Sequence, residues 1–367
     1  MSQQRSFRVQ ILLAKTAMSF AILSLILGAA RAQDSPPTDQ QPAFRSQPTV
    51  VLVPALVKDK SGSIVYGLGA GDFVVEDDGI EQPVRLDDSP ESAPVSLVVA
   101  VQLGRTGAAE LPRIRSLGTM LDPILSQGRN RAAIVTFDSD VELVRNFTTN
   151  SALIAADFQQ LRPGDHKAAI LDAVGYSVAL LKGEPKERQR VLLLVSETRD
   201  HGSRLHGIED TVRSIADGNV VVYTLAFSPT VSGVLDTLRG KPPGDAPPQP
   251  PDQIPDAENG PGGVPRGGIN IMPLLIAAVQ AMRANAPKTI AGMTGGEYEL
   301  FKSHKSFEAG MADFANHLHN RYMLSFEPKD PHYGLHKVRV RLRKSGVQSY
   351  NVLARDRYWA EAPEKDR

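Results

Sequence analysis

The chain contains no cysteine, which removes disulfide frameworks, thiolate-ligated zinc or iron–sulfur sites and thiol nucleophiles together. Charge of either sign is not in excess. The 41 Lys and Arg side chains balance 41 Asp and Glu, so no overall field draws the protein to nucleic acid or to an anionic membrane surface. The apolar stretch Ala17 to Ala30 is uncharged for only 14 residues, short of the ~20 that span a bilayer. It follows Arg5, Arg8 and Lys15 and runs into Ala30-Arg31-Ala32, the three-part pattern of a secretory signal peptide. Residues 1–32 are therefore expected to be removed near Ala32 and the protein exported, to the periplasm or beyond the cell. No cysteine follows the small residues, so no lipid anchor is expected there. The remainder carries 37 basic and 41 acidic side chains, a net charge of −4.

Catalytic signatures are also missing. There is no Gly-x-Ser-x-Gly elbow and no His-Glu-x-x-His pair, which withdraws support from serine hydrolases and zinc proteases. Gly67-Leu68-Gly69-Ala70-Gly71 runs into an expected strand, not the helix that a phosphate-binding loop requires, and reads as a loop. Glu76, Asp77 and Asp78 precede Gly79, where turn formation accounts for them without calcium. His317 and His319 sit two apart on an expected helix, about 200° around its axis, and cannot share one ion. They read as surface histidines.

What is present divides the chain by texture. Residues 33–48 are rich in Pro and Gln and read as a flexible leader. Residues 49–88 read as a β segment: a strand at Thr49–Val57, a strand at Phe73–Glu76 turning at Asp77-Asp78-Gly79, and a return strand at Glu81–Leu86. From Val95 the pattern changes to apolar strands (Val95–Val101, Arg131–Phe137, Val191–Val195, Val220–Phe227) alternating with helical spacing (Leu111–Leu125, Ala168–Leu181, Ile208–Asp217). Val141–Phe147 reads as one more strand. Continuous apolar strands are those buried on both faces, and their alternation with helices implies a mostly parallel, doubly wound α/β sheet.

Residues 228–270 interrupt this pattern with a Pro/Gly-rich stretch, expected to be a disordered insertion. The pattern resumes with a helix at Ile271–Ala284, a short strand within Glu297–Phe301 and a helix at Ser306–His319, closing an α/β domain at 94–320. Residues 321–360 read as β again, with strands at Tyr322–Phe326, Lys337–Leu342 and Gln348–Ala354. Neither flank is large enough for its own core, so the C-terminal β segment is expected to pair with 49–88 in one β-sandwich carrying the α/β domain as an insertion. Two separate ribbons are the alternative.

The succession of the strand Val95–Val101 into a polar loop, Phe137-Asp138-Ser139-Asp140, Leu171-Asp172-Ala173 and Val191–Glu197 resembles the von Willebrand factor A domain. Asp72–Gly79, Thr294-Gly295-Gly296 and Arg321–Phe326 are similar to the von Willebrand factor A-related acidobacterial domain family of exported proteins, and the resemblance covers about residues 48–360. It implies a Rossmann-like fold holding one Mg2+ or Mn2+ at the strand ends, in a metal-ion-dependent adhesion site that a partner's carboxylate completes. The implied ligands are an Asp-x-Ser-x-Ser loop, a Thr in a second loop and an Asp in a third.

This sequence departs from that set. Gln102 replaces the Asp, Gly104 the first Ser and Thr106 the second, Ala168 stands at the Thr position and Glu197 at the last Asp. Arg105 and Lys167 add positive charge. Mg2+ requires an octahedron of hard oxygens anchored by carboxylates, and Glu197 alone is anionic, so no metal and no other cofactor is expected.

The loops at Gln102, Gly104, Arg105, Thr106, Lys167, Ala168 and Glu197 remain the expected partner face, because parallel α/β sheets place ligands beyond the carboxyl ends of their strands. An exposed edge of the sandwich is the other candidate surface. The expected function is an exported, non-enzymatic protein-binding module of the adhesion type, with a protein partner, no nucleic acid and no transmembrane helix after processing. Two alternatives stay open: a metal-dependent adhesion domain using Gln102, Thr106 and Glu197, and a hydrolase without a recognisable motif.

Overall fold

The computed structural model describes residues 50–86, 93–126, 128–228, 272–343 and 350–360. The expected signal peptide, the leader at 33–48 and the insertion from residue 229 to 270 lie outside the described residues. The first strands are β1 (Val51–Lys58), β2 (Phe73–Asp77), β3 (Ile80–Gln82) and β4 (Arg85–Leu86). Then follow β5 (Val95–Gln102), α1 (Gly107–Met120), α2 (Asp122–Leu125), β6 (Arg131–Phe137), β7 (Val141–Thr148), α3 (Ser151–Gln160) and α4 (Ile170–Lys182). Next come β8 (Gln189–Glu197), α5 (Ile208–Asp217), β9 (Val220–Phe227), α6 (Met272–Ala284), α7 (Ala286–Thr294), β10 (Tyr298–Leu300) and α8 (His304–His317). The last strands are β11 (Tyr322–Phe326), β12 (Gly334–Leu342), β13 (Asn351–Ala354) and β14 (Arg357–Ala360).

Six strands make one sheet in the order β10-β9-β8-β5-β6-β7. All neighbours are parallel except the edge pair β6 and β7, which is antiparallel with register shifts around Ile134. Every residue of β5 is buried, because helices cover both faces of the sheet. Successive side chains of a strand point to opposite faces. Leu97, Val99 and Val101 accordingly pack with Leu111, Ile114 and Leu117 of α1, Phe158 of α3 and Phe314 of α8. Val98 and Ala100 pack with Val174 and Val178 of α4, Val212 and Ile215 of α5, and Ile290 of α7. Each such fully buried aliphatic or aromatic side chain contributes about 1.5–3 kcal/mol. The sheet and its two helical layers are compatible with a von Willebrand factor A-like fold.

The flanks form two antiparallel four-stranded sheets, β13-β1-β11-β4 and β14-β12-β2-β3. Both draw strands from before and after the α/β part: β1 pairs with β11 and β13, and β2 pairs with β12. Val53 and Ala55 of β1 and Leu324 of β11 share one hydrophobic cluster with Phe73 and Val75 of β2, Val338 of β12 and Tyr358 of β14.

Several elements differ from the sequence reading. The expected return strand Glu81–Leu86 splits, with β3 in one sheet and β4 in the other. Pro83 lies between them and has no N–H to continue a ladder. The expected strand Gln348–Ala354 is present from Asn351 as β13, and a further strand, β14, follows it and joins the other sheet. A second helix, α7, follows α6 directly. Asn285 caps it by accepting from Lys288 N at 3.0 Å, and Gly295 ends it in the left-handed conformation at φ 75°. His317, expected at the surface, is buried at 4% exposure at the end of α8, with Nδ1 2.6 Å from Glu297 Oε2. Helical spacing on α8 alone does not show that carboxylate.

Candidate functional site

Numbered from β5, the six-stranded sheet runs 3-2-1-4-5-6, with β5 first and β8 fourth. The chain therefore leaves β5 toward one edge and returns at β8 to build the other, and the crevice between diverging connections opens at the carboxyl ends of these two strands. β5 ends at Gln102 and β8 at Glu197. The turn after β5 is tight: Arg105 adopts φ 50°, and a Cβ on Gly104 would stand 2.0 Å from Lys167 O and 2.8 Å from Asp138 Cβ.

This turn delivers two side chains to one carboxylate. The Glu197 side chain is 1% exposed. Thr106 Oγ1 donates to its Oε2 at 2.7 Å, and Arg105 Nε stands 3.0 Å from its Oε1. His201 Nε2 lies 3.8 Å from the same Oε1. Gln102, fully buried, bridges the two strand ends: its Oε1 accepts from Glu197 N and its Nε2 donates to Gly104 O, both at 2.9 Å.

These residues do not fit an octahedral Mg2+ or Mn2+. Such an ion requires hard oxygens anchored by carboxylates. Here the Arg105 guanidinium already supplies the positive charge at Glu197, and the Gln102 carbonyl and the Thr106 hydroxyl are engaged in hydrogen bonds. Ala168, at the expected Thr position, is buried and bridged to His201 by two backbone hydrogen bonds of 2.9 and 3.2 Å.

The expected contact set is thereby divided. Of these, Gln102, Gly104, Ala168 and Glu197 are buried and lie beneath the surface that a partner would meet. Arg105 and Lys167 are exposed and Thr106 is half-buried.

Sequence reading missed how the neighbouring loops are held. Asp172, in the first turn of α4 and 3% exposed, accepts from the backbone N–H groups of Arg204, Leu205 and His206 at 2.8, 3.0 and 2.6 Å. This bond set leaves Leu205 81% exposed. Asp138 accepts from Asp140 N and Asp165 N, each at 3.1 Å. Asp165 accepts from Lys167 N at 2.8 Å, and the Ser139 hydroxyl is the first of the bonds that hold its carboxyl below the usual range. Asp200 accepts from Leu171 N at 3.1 Å and from Ser203 Oγ at 2.5 Å. The acids of this face thus brace its backbone, while Arg105, Lys167, Arg204 and Leu205 reach solvent. The one available signal was the Leu171-Asp172-Ala173 motif, which placed the carboxylate but not its partners more than 30 residues away.

No protein-family model matches the chain, and no curated protein matches it. Among solved structures, an aerotolerance-related membrane protein from Bacteroides fragilis NCTC 9343 is similar over 61% of this chain and 99% of its own, at 15% identity and a TM-score of 0.38. Conserved hypothetical protein BatB from Bacteroides thetaiotaomicron is similar over 60% of this chain and 99% of its own, at 13% identity and a TM-score of 0.36. Proximal thread matrix protein 1 from the mussel byssus is similar over 66% of this chain and 50% of its own, at 10% identity and a TM-score of 0.39. At these scores the likenesses carry no argument about what this chain does.

Proposed function

We propose that the chain is an exported, non-enzymatic protein-binding module that acts through the loops beyond the carboxyl ends of β5 and β8 without a metal ion. The observation that carries this reading is the Arg105–Glu197 pair. The Arg105 guanidinium stands against the buried carboxylate and offsets its charge, so the strand ends need no metal ion. Lys167, Arg204 and the exposed Leu205 surround the pair with the mixture of charge and apolar surface that partner sites use. The carboxylates that acid–base chemistry would need are hydrogen-bonded to backbone N–H groups, which supports a binding role over a hydrolytic one. The same reading takes the two antiparallel sheets as one β-sandwich that carries the α/β domain as an insertion.

Photo-crosslinking tests the assignment. A crosslinking residue at Leu205 or Lys167 is expected to trap a protein in the exported compartment, and one at Glu187, at the opposite end of β8, is not. Equal capture from all three positions, or from none, contradicts the reading.

A further inference from the structure

A separate cluster of titratable groups lies where the β2–β3 turn meets the start of β12. Asp78 and Gly79 both take positive φ, 49° and 86°, the two-residue turn that an Asp-Gly pair favours, and this holds Asp77 and Asp78 beside β12. The His336 side chain is 1% exposed, with Nδ1 2.9 Å from Asp78 Oδ2 and 3.1 Å from Asp77 Oδ1. Its Nε2 lies 2.8 Å from the His332 carbonyl oxygen. A carbonyl can only accept, so Nε2 carries a hydrogen and Nδ1 is the atom that faces two carboxylates. A ring lone pair and two anionic oxygens do not rest this close without a cation among them, either a proton or a metal ion. His332 Nε2 lies 3.1 Å from the same Asp78 Oδ2, and the three donor atoms fall within 4.8 Å of one another.

We propose that Asp78, His332 and His336 form a binding site for a divalent transition-metal ion of the zinc class. Imidazole and carboxylate donors suit zinc and its neighbours, and two nitrogen ligands disfavour Mg2+ and Ca2+. Asp78 Oδ2 lies 3.1 Å from His332 Nε2 and 2.9 Å from His336 Nδ1, a spacing that fits neighbouring ligands of an ion bonded at roughly 2.0–2.1 Å. The Nε2–H of His336 on a backbone carbonyl is the bond by which metal-ligating histidines are oriented. A cavity of about 10 Å3 lined by Asp77, Asp78, Ile80, Gln82, Asp330 and His332 has room for one water as a fourth ligand. The two imidazole rings are stacked, 3.8 Å between centroids and 12° from parallel, so their lone pairs run side by side. Binding requires His332 to turn edge-on. It stands in the connection between β11 and β12 with its side chain 25% exposed.

Equilibrium dialysis of the full chain against Zn2+, with Co2+ absorption as a second readout, tests the site. The expected result is one equivalent of Zn2+ per chain and the visible bands of four-coordinate Co2+. Affinity is expected to fall at least about tenfold in His332→Ala and in Asp78→Asn, and to stay unchanged in His304→Ala, which alters an exposed histidine paired with Glu308. His332 is not in a strand, so its variant is expected to keep the far-ultraviolet circular dichroism of the parent even if Asp78→Asn does not. Absence of stoichiometric Zn2+ in the parent, or equal affinity in the parent and His332→Ala, overturns the proposal.

Discussion

Arg105 and Glu197 meet across the ends of β5 and β8, Nε 3.0 Å from Oε1, with one partner 37% exposed and the other 1%. The asymmetry sets unequal costs for breaking the pair. Arg105→Ala leaves the buried carboxylate without its counter-ion and is expected to lower stability by about 1–3 kcal/mol, less than a fully buried pair because Arg105 is 37% exposed and screened by solvent. Glu197→Gln removes the charge and keeps an acceptor for Thr106, so it costs less, and adding it to Arg105→Ala recovers part of the loss. Urea midpoints of the three variants check this order.

Gly104 decides whether the site can be rebuilt for a metal. A Cβ there meets Lys167 O at 2.0 Å, a backbone atom that cannot swing aside. Gly104→Ser is therefore expected to lose at least about 2 kcal/mol, as overpacking does, and to gain no Mg2+ affinity even with Ala168→Thr. Calorimetric Mg2+ titration of the double variant checks the second half of this statement.

Gly296 illustrates a motif whose cause lies outside its own segment. A Cβ on it would stand 1.8 Å from Val222 O, because the link from α7 to β10 runs against the backbone of β9. Thr294 Oγ1 fixes the same contact by accepting from Val222 N at 3.0 Å. Gly296→Ala is expected to cost about 3 kcal/mol or more, measured as a lowered melting midpoint, whereas Gly292→Ala, with open space around its Cβ position, is not.

Glu297 links the two parts of the fold. Lys58 Nζ of β1 lies 2.5 Å from its Oε1 and His317 Nδ1 2.6 Å from its Oε2. Burial pushes the Glu297 carboxyl up, and the bonds from His317 and Lys58 outweigh that effect and hold it below the ordinary range. A carboxyl depressed in the folded state adds stability above its unfolded pKa and loses it as pH falls through the folded value. Glu297→Gln is expected to flatten the acid limb of the stability–pH curve below about pH 4.5 and to cost about 1–3 kcal/mol at neutral pH, from the unpaired partners it leaves. An unchanged acid limb would contradict the assignment.

The parts of the fold legible in the sequence are those with local causes. β5, β8 and β9 are continuous apolar runs because helices cover both faces of their sheet, and Asp78-Gly79 marks its turn because both residues need positive φ. What escaped the sequence reading depends on partners far along the chain. Pro83 divides an apparent single strand between two sheets, β14 follows β13 without a separate strand being expected there, and no periodicity signals which sheet each joins. Asp172 braces a loop more than 30 residues away, and His317 is buried because Glu297 reaches it. Arg105 and Glu197 were each legible as departures from a metal site. Their pairing, across 92 positions, required the neighbouring strand ends of β5 and β8.

Arg105, in the proposed reading, takes the place of a metal ion at Glu197. Thermal melting of residues 33–367 in EDTA and then in excess Mg2+ or Mn2+ tests it directly, because a ligand bound only by the folded state raises the midpoint. The predicted result is no rise with Mg2+ or Mn2+ that depends on Glu197, so that the parent and Glu197→Gln respond alike in all three conditions. A rise with Mg2+ or Mn2+ that disappears in Glu197→Gln would contradict it and assign Gln102, Thr106 and Glu197 to a working metal site.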